Sequence, residues 1–82
     1  MYTVYKAYNH TFNRQLETWE EVMAFIRRKA NKFNHGQFRS WNFHNWDSAE
    51  DEYFFDCGPI TYLIIPNEAS APQARAKWAE RK

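Results

Sequence analysis

Thr18–Gly36 reads TWEEVMAFIRRKANKFNHG, and the rest of the 82-residue chain is arranged around it. Thr18 is placed to cap a first helical turn, and Glu21, three residues on, to reach back to the Thr18 backbone N–H, a capping box. Trp19, Val22, Met23, Ile26, Ala30 and Phe33 recur at intervals of three and four, which sets them on one stripe of a helix. Glu20 and Glu21 fall in the first turn, and Arg27, Arg28, Lys29 and Lys32 crowd the second half, so the charges complement the helix macrodipole. Asn34 or Gly36 can take the left-handed conformation that stops the helix. The spacing predicts an amphipathic helix over Thr18–Asn34 with a basic C-terminal end.

On either side of it the pattern has a period of two. Tyr2–Tyr8 (YTVYKAY) is rich in β-formers. Thr11–Leu16 (TFNRQL) alternates, with Phe12, Arg14 and Leu16 on one side. Asn9-His10 between them suits a two-residue hairpin turn; a single strand followed by a loop is the alternative. After Gly36, Phe38, Ser40, Asn42, His44 and Trp46 fall on one strand face and Arg39, Trp41, Phe43 and Asn45 on the other. Both faces carry aromatics, so one is available to the core and the other to a partner. Asp47–Glu52 reads as an acidic loop. Tyr53–Cys57 (YFFDC) and Ile60–Ile65 (ITYLII) resume β character around Gly58-Pro59, as one bulged strand or as two. Ile60–Ile65, the most apolar run, is the candidate central strand. Ser70 and Gln73 offer a second capping box, opening a short Ala-rich helix over Ala71–Arg81 whose apolar side is Ala71, Ala74 and Trp78.

These readings combine into one α+β domain spanning residues 1–82. An antiparallel sheet of four or five strands is covered by one amphipathic helix, in the order β-β-α-β-β(-β)-α, with the C-terminal helix from residue 69 onward peripheral or docked. The expected core is Val4, Leu16, Val22, Met23, Ile26, Phe55, Ile60, Tyr62 and Ile64. A chain this short buries only about 60–65% of its unfolded surface, so a single modest core is what it can build. There are no internal repeats or low-complexity tracts. No apolar run approaches the ~18 residues a membrane span needs, and MYTVYKAYNH is not an apolar leader. The lone Cys57 forms no internal disulfide, and a small unstapled domain belongs in a reducing cytoplasm.

Charge and aromatic content point to binding. The formal net charge is +1, but the signs are segregated. Arg27, Arg28, Lys29, Lys32 and Arg39 form an acid-free stretch. Asp47, Glu50, Asp51, Glu52 and Asp56 form a base-free one, and Arg75, Lys77, Arg81 and Lys82 make the C-terminus basic again, interrupted by Glu80. Each run serves as a solvated face, or together they orient a charged partner. Phe, Trp and Tyr make up 20% of the chain. Each carries roughly 150–250 Å² of surface, more than one helix on one small sheet can hide, so several aromatics should be exposed. Exposed aromatics beside Arg are the composition of interface hot spots.

Little in the chain suggests chemistry. His10, His35, His44 and Cys57 lack the spacing that sets two metal ligands on one turn, so the simpler reading is surface histidines and a core cysteine. Cys57 has no neighbour in sequence to lower its pKa. Only two glycines occur, with no phosphate-cradling loop, nucleophile elbow or paired-carboxylate motif. No catalytic residue, metal or cofactor is expected.

Two binding readings remain. In one, the chain is a protein-binding module with a surface made of Arg39, Trp41, Phe43, Trp46, Asp47, Glu50, Asp51 and Glu52. Its acids would occupy a site that normally receives phosphates, a form of nucleic-acid mimicry. In the other it binds single-stranded nucleic acid through the stretch 27–46, with Arg27, Arg28, Lys29, Lys32 and Arg39 on phosphates and Trp41 stacking on a base. Self-association into a homodimer would also absorb the surplus aromatics. In size and make-up the chain resembles the small proteins with which phages block host enzymes, anti-CRISPR proteins among them, though it shares no motif with them. That resemblance implies a non-catalytic inhibitor occupying a functional surface of a nucleic-acid-processing enzyme or defence complex.

Overall fold

The periodicity of the central segment is realised as helix α1, Trp19–Phe33. This computed structural model describes residues 1–80. Thr18 Oγ1 accepts the Glu21 N–H at 3.1 Å and fixes the start of the helix. At its end the N–H groups of Asn34 and Gly36 both donate to Ala30 O. Asn34 stays at negative φ, and His35 and Gly36 take the left-handed turn, with φ of 55° and 81°.

The strands are β1 (Tyr2–Lys6), β2 (Thr11–Leu16), β3 (Arg39–Asn45), β4 (Glu50–Asp56) and β5 (Thr61–Pro66). They form one antiparallel sheet in the order β2-β1-β5-β4-β3, so the most apolar strand is central, as its composition requires. Helix α2 (Ala71–Glu80) closes the order β-β-α-β-β-β-α. Arg81 and Lys82, the end of the expected basic terminus, lie outside the described residues.

Several local expectations are corrected. The first hairpin is closed by the four residues 7–10 rather than by Asn9-His10 alone, with His10 at φ 52° and Asn9 Oδ1 accepting the Thr11 N–H. Asn13 is an extra residue in β2: Val4 pairs with Arg14 and Tyr5 with Phe12. This bulge turns Phe12 to the opposite face from Arg14 and Leu16, which undoes the expectation that all three share a side. The acidic segment is not one loop, because Glu50, Asp51 and Glu52 already belong to β4. Of the two alternatives around Gly58-Pro59, one bulged strand or two strands, the second holds: two paired strands, Asp56 opposite Thr61.

One face of the sheet meets both helices. Tyr2, Val4, Tyr53, Phe55, Tyr62 and Ile64 pack there against Trp19, Val22, Met23, Phe25, Ile26 and Ala30 of α1 and Ala74 of α2. Seven of the nine expected core residues are buried, whereas Leu16 and Ile60 are only partly so. Trp19 is the hub, its ring edge-on to Tyr2 at 5.8 Å and Tyr53 at 5.5 Å. Phe25, absent from the expected stripe, is buried edge-on to Tyr62 at 5.1 Å. Helix α2 docks through Trp78, 5.2 Å from Tyr53 and 6.1 Å from Phe55. The second capping box does not form as expected, because Gln73 Oε1 instead accepts the Tyr2 hydroxyl at 2.7 Å.

Candidate functional site: the open face of the sheet

Strand alternation places every second residue on the face that neither helix covers. Across all five strands the register aligns Phe12, Tyr5, Leu63, Phe54 and Trp41 in one row, each opposite the next. The row is held together by ring contacts. Tyr5 and Phe12 meet edge-to-face at 6.4 Å, and Trp41 lies flat on Phe54 at 5.4 Å and 8° between planes. Leu63, flanked in register by Tyr5 and Phe54, is 1% exposed although it belongs to this face. The ends of the row are open, with Phe12 59% and Trp41 44% exposed. Phe43 adds a third exposed ring two residues along β3.

Charge rims the row on one side. Register sets Arg39 opposite Asp56, Phe43 opposite Glu52 and Asn45 opposite Glu50. Arg39 Nη2 donates to Asp56 Oδ2 at 2.9 Å. That bond, and one from the Gly58 N–H, hold the Asp56 carboxyl below the usual carboxylate range. The single cation on β3 is therefore already paired, and Glu50 and Glu52 give the face its net negative sign.

Of the residues singled out from sequence, Arg39, Trp41, Phe43, Glu50 and Glu52 are brought together here. Asp51 is not. It falls on the helix side, where Oδ1 accepts His44 Nδ1 at 2.7 Å and Oδ2 accepts Arg75 Nη1 at 2.8 Å. Burial raises its pKa, and these two bonds more than offset that, so the carboxyl titrates below its ordinary range. Trp46 and Asp47 lie in the turn between β3 and β4, where Trp46 is 84% exposed and edge-on to His44.

The residues assembled for nucleic-acid binding are split by the sheet. Arg27, Arg28, Lys29 and Lys32 ride on α1, whereas Arg39 and Trp41 face the other way. On the helix side a different cluster forms, which includes Lys6 and Arg14. Lys29 Nζ stands over Phe25 at 5.5 Å and Phe33 at 6.0 Å, Arg14 over Phe25 at 4.8 Å and Lys32 over Phe33 at 5.4 Å. Burial and the fields of Lys32, Arg14, Arg28 and Lys6 push the Lys29 pKa down. Arg14 joins this cluster only because the bulge at Asn13 turns it there.

Cys57 is fully buried, its thiol 3.8 Å from Ile26 O, and burial together with the charge of Asp56 raises its pKa. Among the described residues no three His, Cys, Asp or Glu side chains converge as a metal requires. No helix among them is long and apolar enough to cross a membrane.

The chain matches no family model, no curated protein and no solved structure.

Proposed function

We propose that this protein is a non-enzymatic binding module that docks its open sheet face on a partner protein and blocks a functional surface there. The observation that carries the reading is the Phe12–Tyr5–Leu63–Phe54–Trp41 row. Rigid rings on a sheet lose little entropy on binding, and clustered aromatics at the centre of a desolvated patch supply most of an interface's energy. Glu50 and Glu52, beside Phe43 in β3 and β4, suit a basic surface on the partner. A phosphate-receiving surface has that sign, which makes a nucleic-acid-processing enzyme or a defence complex of the cytoplasm the favoured target. This is the mode of action of phage inhibitors of the anti-CRISPR kind.

A second reading, single-stranded nucleic-acid binding, draws on a separate observation. Lys6, Arg14, Arg28, Lys29 and Lys32 converge around Phe25 and Phe33 on the helix side, and no ion pair ties any of them to a carboxylate among the described residues. That cluster suits phosphates, but the sheet separates it from the aromatic row on which bases would stack.

The test is a set of pull-downs from bacterial lysate, with and without nuclease, using tagged wild-type protein and Trp41→Ala. A stoichiometric protein held by the wild type and lost with Trp41→Ala is the expected result. Capture that is equal for the two proteins, or that vanishes with nuclease, overturns the protein-binding reading of this face.

A further inference from the structure

The two edges of the sheet are built differently. Strand β2 is interrupted by its bulge at Asn13, a device that keeps an edge from pairing with another strand. Strand β3 pairs with β4 over seven uninterrupted positions, Arg39–Asp56 through Asn45–Glu50. Its sequence, RSWNFHN, contains no proline and no lysine, and among the described residues no other strand lies beyond it. Its outward backbone groups form an edge template free of bulges in its register with β4.

We infer that β3 pairs with β3 of a second copy in antiparallel register about Asn42, joining two five-stranded sheets into one of ten strands. The segment is self-complementary in that register. Asn42 meets its own equivalent, Trp41 lies opposite Phe43 of the other copy, Ser40 opposite His44 and Arg39 opposite Asn45. The dimer thereby gains two aromatic cross-strand pairs, a kind that stabilises antiparallel sheets. The charges agree as well. Arg39 arrives beside Asn45 of the other copy, whose own partner across β4 is Glu50. No like charges oppose one another, and the side chains of the aromatic rows stay on the open face, which the dimer doubles in length. The pairing uses backbone groups of the edge and draws Trp41 and Phe43, which also belong to the open face, into cross-strand contact with the other copy.

Purified protein alone tests this, by sedimentation over a concentration series and by oxidative cross-linking of Asn42→Cys. Directly opposed residues in an antiparallel pair have Cα atoms about 4.5–5.5 Å apart, within reach of a disulfide. Two Ser40 residues would sit four positions out of register, about 13 Å apart, beyond reach. Buried Cys57 stays out of the reaction. The expected result is a species of twice the 10.0 kDa chain mass, cross-linked through Asn42→Cys but not through Ser40→Cys. Placing Trp41→Lys on the edge should return it to a monomer. A monomer at every concentration, or cross-linking of Ser40→Cys as readily as of Asn42→Cys, overturns the inference.

Discussion

The indole of Trp41 lies parallel to the ring of Phe54 across β3 and β4, on the side of the sheet that no helix covers. Stacking of this kind contributes about 0.5–1.5 kcal/mol beyond area burial, and Trp41 is 44% exposed. Trp41→Ala should therefore cost about 1 kcal/mol in denaturant unfolding while abolishing capture of the partner. A variant that loses binding only by unfolding would show a far larger drop and a broadened transition.

Trp19 gives the opposite outcome. It is 4% exposed and its ring meets Tyr2, Tyr53 and Phe55. Truncating a buried Trp costs about 3–5 kcal/mol, comparable with the whole stability of a marginal domain. Trp19→Ala should be largely unfolded at room temperature by circular dichroism, and Trp19→Phe should recover most of the native signal.

Gly58 is fixed by its surroundings as well as by its backbone. It sits at φ 104°, and a Cβ there would lie 3.1 Å from Asn34 Cβ and 3.3 Å from Phe33 O. Gly58→Ala should destabilise the protein by about 1–3 kcal/mol, combining backbone strain with pressure on the end of α1. Thermal unfolding checks this, and an unchanged midpoint would show that the β4–β5 turn relaxes freely.

Much of this architecture was legible in the sequence because its signals are local. Thr18 and Glu21 mark a helix start, the stripe from Trp19 to Phe33 a buried face, and ITYLII a central strand. What was not legible depends on pairing. Nothing within Thr11–Leu16 announces the bulge at Asn13, which exists only against Val4 and Tyr5 and decides that Phe12 and Arg14 part company. Half of the candidate face, Trp41 with Phe43, followed from alternation along one strand. Tyr5, Phe12 and Phe54 joined it only because β5 inserts between β1 and β4, a non-consecutive arrangement that no local pattern encodes. Asp51 was grouped with Glu50 and Glu52 because the segment reads as a loop. As a strand it alternates, and Asp51 turns to the helix side.

That turn makes Asp51 the group through which acid should loosen the molecule. His44 of β3 and Arg75 of α2 both donate to it, so the carboxylate ties the second helix to the sheet edge. Its folded pKa is lowered, despite the opposing effect of burial. The unfolded chain therefore takes up the proton first, near the ordinary Asp value of about 3.9. The stabilisation is complete above that pH and is lost as pH falls through the lower folded value. Asp51→Asn should reduce stability at neutral pH and flatten the acid limb of a stability–pH profile below about pH 4. An acid limb as steep as that of the wild type would place the responsible carboxylate elsewhere, with Asp56 the next to test.

Alkali acts through the other side of the same core. Burial, with the charge of Asp51 adding to it, pushes the Tyr53 phenol up to about 12, and burial also raises Tyr2 and Tyr62. These groups hold their protons in the folded state while the unfolded chain releases them near 10. Their contribution is thus fully present below about pH 10 and is lost as pH rises through the folded values. Phenolate absorbance should show a late step that coincides with loss of the circular dichroism signal. Tyr53→Phe should shift that late unfolding to higher pH, because the ring remains between Trp19 and Trp78 and the ionisable group is gone. A late step unmoved by Tyr53→Phe would assign alkaline unfolding to Tyr2 or Tyr62 instead.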